Sequence, residues 1–372
     1  MKKNEPYRGF EQGPIRPPSE SGSLLIRVTR NCPWNRCTFC GLYKNTRFSL
    51  RPVSHVLRDI DLIRRYVEQI KNSETIYSPT IQNEDMAFHA ALTWVRNGMK
   101  SIFLQDSNSL IMKPDDLVTI LASLKDTFPQ IERLTSYARS HTIARISDRN
   151  LDRMAVSGLN RIHVGLESGS NKVLSLVQKG TDKTMHIRAG RKVKQAGIQL
   201  SEYFIPGLGG KLLSGEHALE TADALNQINP DFIRLRTLAV PDEVELFKDV
   251  SAGTFEPMGG TMVAEEILLF IESLKGITST VKSDHILNLF QEVEGTLPEA
   301  KEEMTIVIKR FLSLDIEEKM LYQIGRRSGI FSRLDDLNDP RLRRYAERTY
   351  SDLNVTPLNV DRIITEIMKR FI

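Results

Sequence analysis

Residues 24–44 read LLIRVTRNCPWNRCTFCGLYK, and the order of features within them decides the fold. Leu24 to Arg30 is rich in branched apolar side chains and partly alternates, which predicts a strand. A loop with the spacing C-x4-C-x2-C follows directly, through Cys32, Cys37 and Cys40. Beyond it, Val53, Val56, Leu57, Ile60, Ile63, Val67 and Ile70 recur at helical spacing and predict a helix that packs one face. The cysteine loop therefore sits at the carboxyl end of a strand, the edge where α/β barrels carry their chemistry. The chain has 3 cysteines, an odd number confined to this loop, which fits metal binding and not a disulfide framework. Three thiolates suit three irons of a cubane and leave the fourth iron open to a small molecule with amino and carboxylate groups. Two other readings stay open: a zinc knuckle with His55 as fourth ligand, and reduced cysteines without a ligand. No cysteine remains for a second cluster.

Outward from the loop, strands and helices continue to alternate. A helix from Glu84 to Asn97 precedes the strand SIFLQD, and a helix started by Pro114 carries Leu117, Ile120, Leu121, Leu124 and Phe128. Then come a strand in IERLTSYAR, a helix ending near Gly158, the strand RIHVGL, a helix to Ala196 and the strand IQLSEYFI. A helix from His217 to Gln227 leads into the strand DFIRLRTLAV. Six strands separated by helices predict an α/β fold whose parallel sheet is wound as a full or partial barrel. Strand patterning stops near Val240. The expected division is an N-terminal arm over 1–23, a barrel over 24–240 and a mostly helical region over 241–372. So short a lead-in leaves no room for a cofactor-binding domain ahead of the barrel. At 40% hydrophobic and 26% charged residues the composition is that of an ordinary globular protein, and a formal charge of +4 lends no support to a nucleic-acid partner without barring one. No apolar run approaches the roughly 18 residues of a membrane span, so a cytoplasmic protein with no membrane partner is expected.

The cysteine loop resembles that of the radical S-adenosylmethionine (SAM) superfamily, in the branch of the Elongator catalytic subunit, the methylthiotransferases and coproporphyrinogen dehydrogenase. The resemblance runs from about Leu24 to Val240 and implies a partial (β/α)6 barrel. It also implies a [4Fe–4S] cluster on Cys32, Cys37 and Cys40, with SAM on the open iron. Phe39 matches the family's aromatic residue before the last cysteine, whose main chain meets the adenine. The family usually separates its first two cysteines by three residues, where this chain has four. LQDSNSL stands in place of the family's glycine-rich turn, making Asp106, Ser107 and Asn108 candidates for the methionyl ammonium, or else a solvated turn. In RIHVGLES the two-residue period puts Ile162, Val164 and Leu166 on one face and Arg161, His163, Gly165 and Glu167 on the other. GLESGS resembles the matching strand end, which implies a SAM contact by Glu167 with Ser168 nearby. The alternative pairs Glu167 with Arg161 or another base. Lys179 stands where the coproporphyrinogen-dehydrogenase-like members carry a base for the SAM carboxylate, although a lysine ending a helix before Gly180 also satisfies the helix dipole. Tyr137 and Glu202 fall in further contact regions, and FIPGLGG resembles the adenine-side turn.

The resemblance implies a radical SAM enzyme: an external reductant such as flavodoxin or ferredoxin reduces the cluster, and SAM is cleaved to methionine and a 5′-deoxyadenosyl radical that takes hydrogen from an unidentified substrate. The lack of a second cluster argues against methylthiotransferase-like sulfur insertion, and the short lead-in against cobalamin-dependent methylation. A cluster- and SAM-binding carrier without turnover, like the haem chaperones, is the rival reading. Arg234 and Arg236 share a strand face and point toward an anionic substrate or form ion pairs with barrel carboxylates. In SDHILNLF, Ser283 or Asp284 is expected to cap a helix and leave His285 solvated, with an acid–base role or a substrate contact for His285 as the alternative.

Overall fold

Val56, Ile60, Ile63, Val67 and Ile70 are all buried on a single long helix, as their spacing requires. The computed structural model that places them describes residues 6–72 and 86–369. In chain order the elements begin with β1 (Leu24–Arg27), β2 (Thr29–Arg30), β3 (Ser49–Leu50), α1 (Val53–Asn72) and α2 (Met86–Arg96). They continue through β4 (Ser101–Gln105), α3 (Pro114–Thr127), β5 (Arg133–Ala138), α4 (Ser140–Ile143), α5 (Asp148–Val156) and β6 (Arg161–Glu167). Next are α6 (Asn171–Leu176), α7 (Lys183–Gln195), β7 (Gln199–Phe204), α8 (Gly210–Ile228) and β8 (Phe232–Leu235). The rest comprises α9 (Leu246–Ser251), α10 (Gly260–Ser273), β9 (Thr280–Lys282), β10 (Gly295–Thr296), α11 (Lys301–Ser313), α12 (Ile316–Arg327), α13 (Pro340–Asp352) and α14 (Val360–Met368). The α/β class and all six expected strands are present, as β1, β4, β5, β6, β7 and β8. The expected start of α2 at Glu84 lies outside the described residues. Among those residues, no helix is long and apolar enough to cross a membrane.

Two compact units divide the chain, one of Met1–Asn35, Leu42–Val164 and Arg191–Leu200, the other of Arg36–Gly41, Gly165–Gly190 and Ser201–Ile372. In the first, β1, β4, β5 and β6 run parallel in that order, with Leu25 opposite Phe103 and Tyr137 opposite His163. Every residue of β4 is buried, as a central parallel strand requires. The N-terminal segment is fastened to this unit by ions. The Glu11 carboxylate takes Arg27 at 3.2 Å, Arg30 at 2.7 Å and Arg51 at 2.7 Å. Burial alone would raise the Glu11 pKa, but Arg30, Arg51 and Arg27 outweigh it and hold the carboxyl below its usual range.

In the second unit β7, β8 and β9 are parallel, with Glu202 opposite Ile233, and β10 lies antiparallel on β9. Helices α8, α10 and α11 pack in sequence, and α12 packs on α13 and α14. Met320 and Ile324 of α12 share an apolar cluster with Val360, Ile364 and Ile367 of α14. Strands therefore continue past Val240, contrary to the sequence pattern. Only Val281 of three-residue β9 is fully buried, too short a signal to register as a run.

The expected helix in SDHILNLF is also absent. Residues 283–290 form an ordered loop around the buried side chain of Asn288, which accepts the Thr237 N–H at 2.9 Å and donates to the Leu235 carbonyl at 2.8 Å. Ser283 caps nothing; its hydroxyl donates to the Phe290 carbonyl at 2.5 Å. Side-chain bonds to a strand end thus replace the i→i−4 ladder, a competition in which Asn and Ser are strong. Asn288→Ala leaves the Thr237 N–H and Leu235 carbonyl buried without these partners. A loss of about 2–4 kcal/mol is expected in urea denaturation, with no change in slope.

Candidate functional site

The cysteine loop is curled by two asparagines. Asn31 (φ 67°) and Asn35 (φ 48°) both adopt the left-handed conformation, which Asn tolerates better than most residues. The Asn35 N–H donates to Cys32 Sγ at 3.4 Å. Its side-chain amide donates to the Tyr43 carbonyl at 2.5 Å. In the second unit, the Thr38 N–H donates to the Val177 carbonyl at 3.1 Å and its own carbonyl accepts the Leu246 N–H at 2.9 Å. These bonds fix the segment that carries Cys37, Phe39 and Cys40. All three cysteines are partly exposed thiols outside any disulfide. Among the described residues no three His, Cys, Asp or Glu side chains gather as they would around a single metal ion. A cubane asks something different, since each thiolate takes its own iron. Partly exposed thiols on a loop held at both ends, one with an N–H donor to sulfur, fit that demand.

Asp106, at the end of β4, is fully buried. Its Oδ2 accepts Arg27 Nε at 2.9 Å, Arg27 Nη2 at 2.6 Å and the Asn31 N–H at 2.9 Å. The carboxylate is committed to β1 and to the start of the cysteine loop. Ser107 donates to the Asn31 carbonyl at 3.1 Å. Buried Asn108 accepts the Arg139 N–H at 3.2 Å and donates to Thr142 Oγ1 at 2.9 Å, fastening the loop to α4. The turn expected to be solvated or ligand-facing is thus largely a bracket. The half-buried Tyr137 ring sits edge-on to Phe103 at 5.2 Å and 5.5 Å from His163, within the first unit.

Four candidates come together in the second unit. Lys179 Nζ donates to Glu167 Oε1 at 2.7 Å and lies 6.0 Å from the centre of the Phe39 ring. Arg161 instead pairs with Gln199, at 3.0 and 2.6 Å. Glu167 takes a left-handed φ of 63°, unusual for a side-chain-bearing residue and a mark of a constrained site. Gly165 leaves room for the pair as it stands: a Cβ there would lie 2.1 Å from Glu167 Oε1 and 2.9 Å from Lys179 Nζ and would displace these side-chain ends. Glu202 on β7 is 1% exposed, and its carboxylate oxygens have no hydrogen-bond partner beyond a weak approach by the Leu166 N–H. Burial raises its pKa well above the usual carboxylate range, the Glu167 charge adds to that, and Lys179 opposes it only in part.

Ser168, the residue after Glu167, is bonded elsewhere. Fully buried, it shares a 2.8 Å hydrogen bond with His217 Nδ1, while His217 Nε2 lies 3.0 Å from the Ile205 carbonyl. Burial pulls His217 down to about 4, so it is neutral, with the Nε2–H donating to Ile205 and Nδ1 accepting from Ser168. Glu266 of α10 is a further residue that sequence reading missed. Its Oε1 accepts the Gly207 N–H at 2.7 Å inside FIPGLGG, and burial pushes its pKa up to about 7. Nothing local in the sequence marks His217 or Glu266, because each acts on a turn far from it in the chain.

The raised Glu202 pKa fixes a sign. A carboxyl harder to ionise folded than unfolded lowers stability as pH climbs through and above its ordinary value. Glu202→Gln removes that dependence. Denaturation at pH 5 and pH 8 should find the variant gaining on the wild type at the higher pH by about 1–3 kcal/mol. An equal difference at both pH values would mean that Glu202 is ionised.

A family model described as the Radical SAM superfamily matches residues 26–223, more than half of the chain. The 4'-phospho-dehydrooxetanocin synthase of Priestia megaterium is 28% identical over 193 residues, covering 50% of this chain and 23% of the relative. The tRNA-2-methylthio-N(6)-dimethylallyladenosine synthase of Rickettsia canadensis is 28% identical over 232 residues, covering 59% of this chain and 44% of the relative. The chain thus spans less than half the length of these curated relatives. Among solved structures, the coproporphyrinogen III oxidase of Escherichia coli is similar with a TM-score of 0.45 at 14% identity, over 68% of this chain and 52% of that one. With more than half of its length inside the family model, and with the alternation of strands and helices around a C-x4-C-x2-C loop, the chain belongs to the radical SAM superfamily of enzymes.

Proposed function

We propose that this chain holds a [4Fe–4S] cluster through Cys32, Cys37 and Cys40 and, on reduction by a flavodoxin- or ferredoxin-type donor, cleaves SAM to abstract hydrogen from its substrate. The cluster, when bound, supplies the electron for that cleavage. The chain divides its labour accordingly: 1–23 braces the cysteine loop, 24–240 binds SAM, and 241–372 serves the substrate.

The observation that carries the reading is the Glu167–Lys179 ion pair beside Phe39, with buried Glu202, its pKa raised by burial, next to it. An ammonium paired with a carboxylate is the mirror of an amino acid's own charges. Lys179 can take the SAM carboxylate while Glu167 takes its ammonium, so one internal pair is exchanged for two at little electrostatic cost. Both side chains are only 12–13% exposed, which strengthens such contacts over those in water. Phe39 lends its backbone and ring to the adenine side. Glu202, held protonated, is a hydrogen-bond donor to the ribose or ammonium region without adding a second negative charge. Asp106 and Asn108 in the first unit and Ser168 in the second position the segments they are bonded to.

Anaerobic reconstitution with iron and sulfide should give a brown protein that forms 5′-deoxyadenosine and methionine from SAM and dithionite. Replacing any one of Cys32, Cys37 or Cys40 by Ala should remove both colour and product. Lys179→Met should keep the cluster and raise the KM for SAM about tenfold or more, as loss of one charged contact implies. Stoichiometric zinc in place of iron after reconstitution would overturn the proposal.

A further inference from the structure

The carboxyl end of β8 carries a second set of charged groups that the SAM site does not use. Asn288 stitches the 283–290 loop to it, bonding Thr237 on one side and Leu235 on the other, so Arg236 lies between two fixed residues with its side chain exposed. One residue before Asn288, the Leu287 carbonyl accepts a hydrogen bond from the Arg327 guanidinium, and the Leu287 N–H donates to His285 Nδ1 at 3.3 Å. His285 and Arg327 are thus joined through Leu287 in one hydrogen-bonded knot beside Arg236, with Arg326 adjacent on α12.

This knot is poor in counter-charge: the Glu292 carboxylate acts on Arg326 without forming an ion pair with it. Asp284, the nearest carboxylate on the loop, is held in an ion pair by Arg234. Among the described residues Arg236, Arg326 and Arg327 have no ion-pair partner. Arg327 is 7% exposed, and its buried Nε has no hydrogen-bond acceptor. Burial, reinforced by Arg326, brings its guanidinium down to about 10. Burial and the charges of Arg236 and Arg327 likewise pull His285 to about 4 against the weaker pull of Asp284, so the ring is neutral. Because its Nδ1 accepts from Leu287, the proton is on Nε2, which is a donor. The C-terminal dipole of α12 favours Arg326 and Arg327 in its last turn but accounts for neither Arg236 nor the neutral histidine. A buried guanidinium with no anion costs several kcal/mol, a cost that a ligand anion removes.

We propose that Arg236, Arg327 and the His285 Nε2–H form the pocket for a phosphate monoester group on the substrate. Two guanidinium forks and an imidazole N–H match a dianion with three free oxygens better than a single carboxylate, which would leave net positive charge unmet. The carboxyl ends of parallel strands are where α/β folds place their ligands. That the phosphate belongs to the substrate rests on the radical SAM reading above; that the knot binds phosphate does not.

The test is isothermal titration of the full chain with inorganic phosphate at low ionic strength, with acetate alongside, in protein carrying no cluster. Saturable phosphate binding is expected, weakened about tenfold or more in Arg236→Gln, whose exposed position makes misfolding a poor explanation of the loss. In parallel, the His285 ring resonances should report a raised pKa once phosphate is bound, since a dianion stabilises the imidazolium. No saturable binding, or the same constant in Arg236→Gln, overturns the pocket; acetate binding as tightly as phosphate overturns the phosphate assignment. Phosphate binding without any 5′-deoxyadenosine after reconstitution would leave the pocket standing and remove the radical SAM reading, while the converse result would do the reverse.

Discussion

The buried carboxylate of Asp106 is the contact on which the first unit's functional edge depends. It joins Arg27 of β1 to the first peptide of the cysteine loop, and it does so at the end of a chain of alternating charges. Asp59 of α1 binds Arg51 at 2.5 Å, Arg51 binds Glu11 at 2.7 Å, Glu11 binds Arg27 at 3.2 Å, and Arg27 binds Asp106 at 2.6 Å. The N-terminal segment, the first helix, the first strand and the loop ahead of Cys32 are thereby one electrostatic unit. Breaking such a chain at one link strands a buried charge, typically at a cost of about 3–5 kcal/mol, far more than its formation contributes over an apolar equivalent. Its value is therefore positional. Gly13 makes the same point sterically, because a Cβ there would stand 1.7 Å from Asp106 Oδ1.

Burial sorts the acidic and imidazole groups of the second unit into two classes. Glu167 has Lys179 against it and remains part of an ion pair. Glu202, Glu266 and His217 have no such partner, and burial drives each toward its neutral form. The result is a site with one balanced pair of charges surrounded by uncharged hydrogen-bonding groups. That is a suitable environment for a zwitterionic ligand, whose two charges find partners while no surplus charge repels either.

How much of this was legible in the sequence follows from the range of the interaction concerned. The face of α1 and the six strands were readable because periodicity is a local signal, and the cysteines because their spacing is. Glu167, Lys179 and Phe39 come together because a strand end, the helix turn after it and a short loop carry them, and Glu167 takes Lys179 as the base that the alternative reading allowed. The bond from Asp106 to Arg27 was not legible, because Arg27 is 79 residues away and nothing in LQDSNSL marks it. Ser168 looked like a neighbour of Glu167 for the same reason, its true partner His217 being 49 residues on. The 283–290 loop was misread as a helix because its apolar residues have helical spacing, while the one that decides its shape, Asn288, bonds to a strand end some fifty residues earlier.

The two arginines after Phe232 show how finely such choices are drawn. Both were expected on one face, and the two-residue period does give them the same direction while the strand lasts. β8 stops at Leu235, however, so only Arg234 is inside it. Arg234 is 5% exposed, bonds Ser201 at 3.1 Å and pairs with Asp284, which fixes it as structure. Arg236, one residue past the end, donates its N–H to the Phe204 carbonyl at 2.9 Å but leaves its guanidinium exposed. Because Asp284 can neutralise only one cation, its commitment to Arg234 is what leaves positive charge at the end of β8. The ion pair that stabilises the strand is thus the same interaction that makes the strand end attractive to an anion.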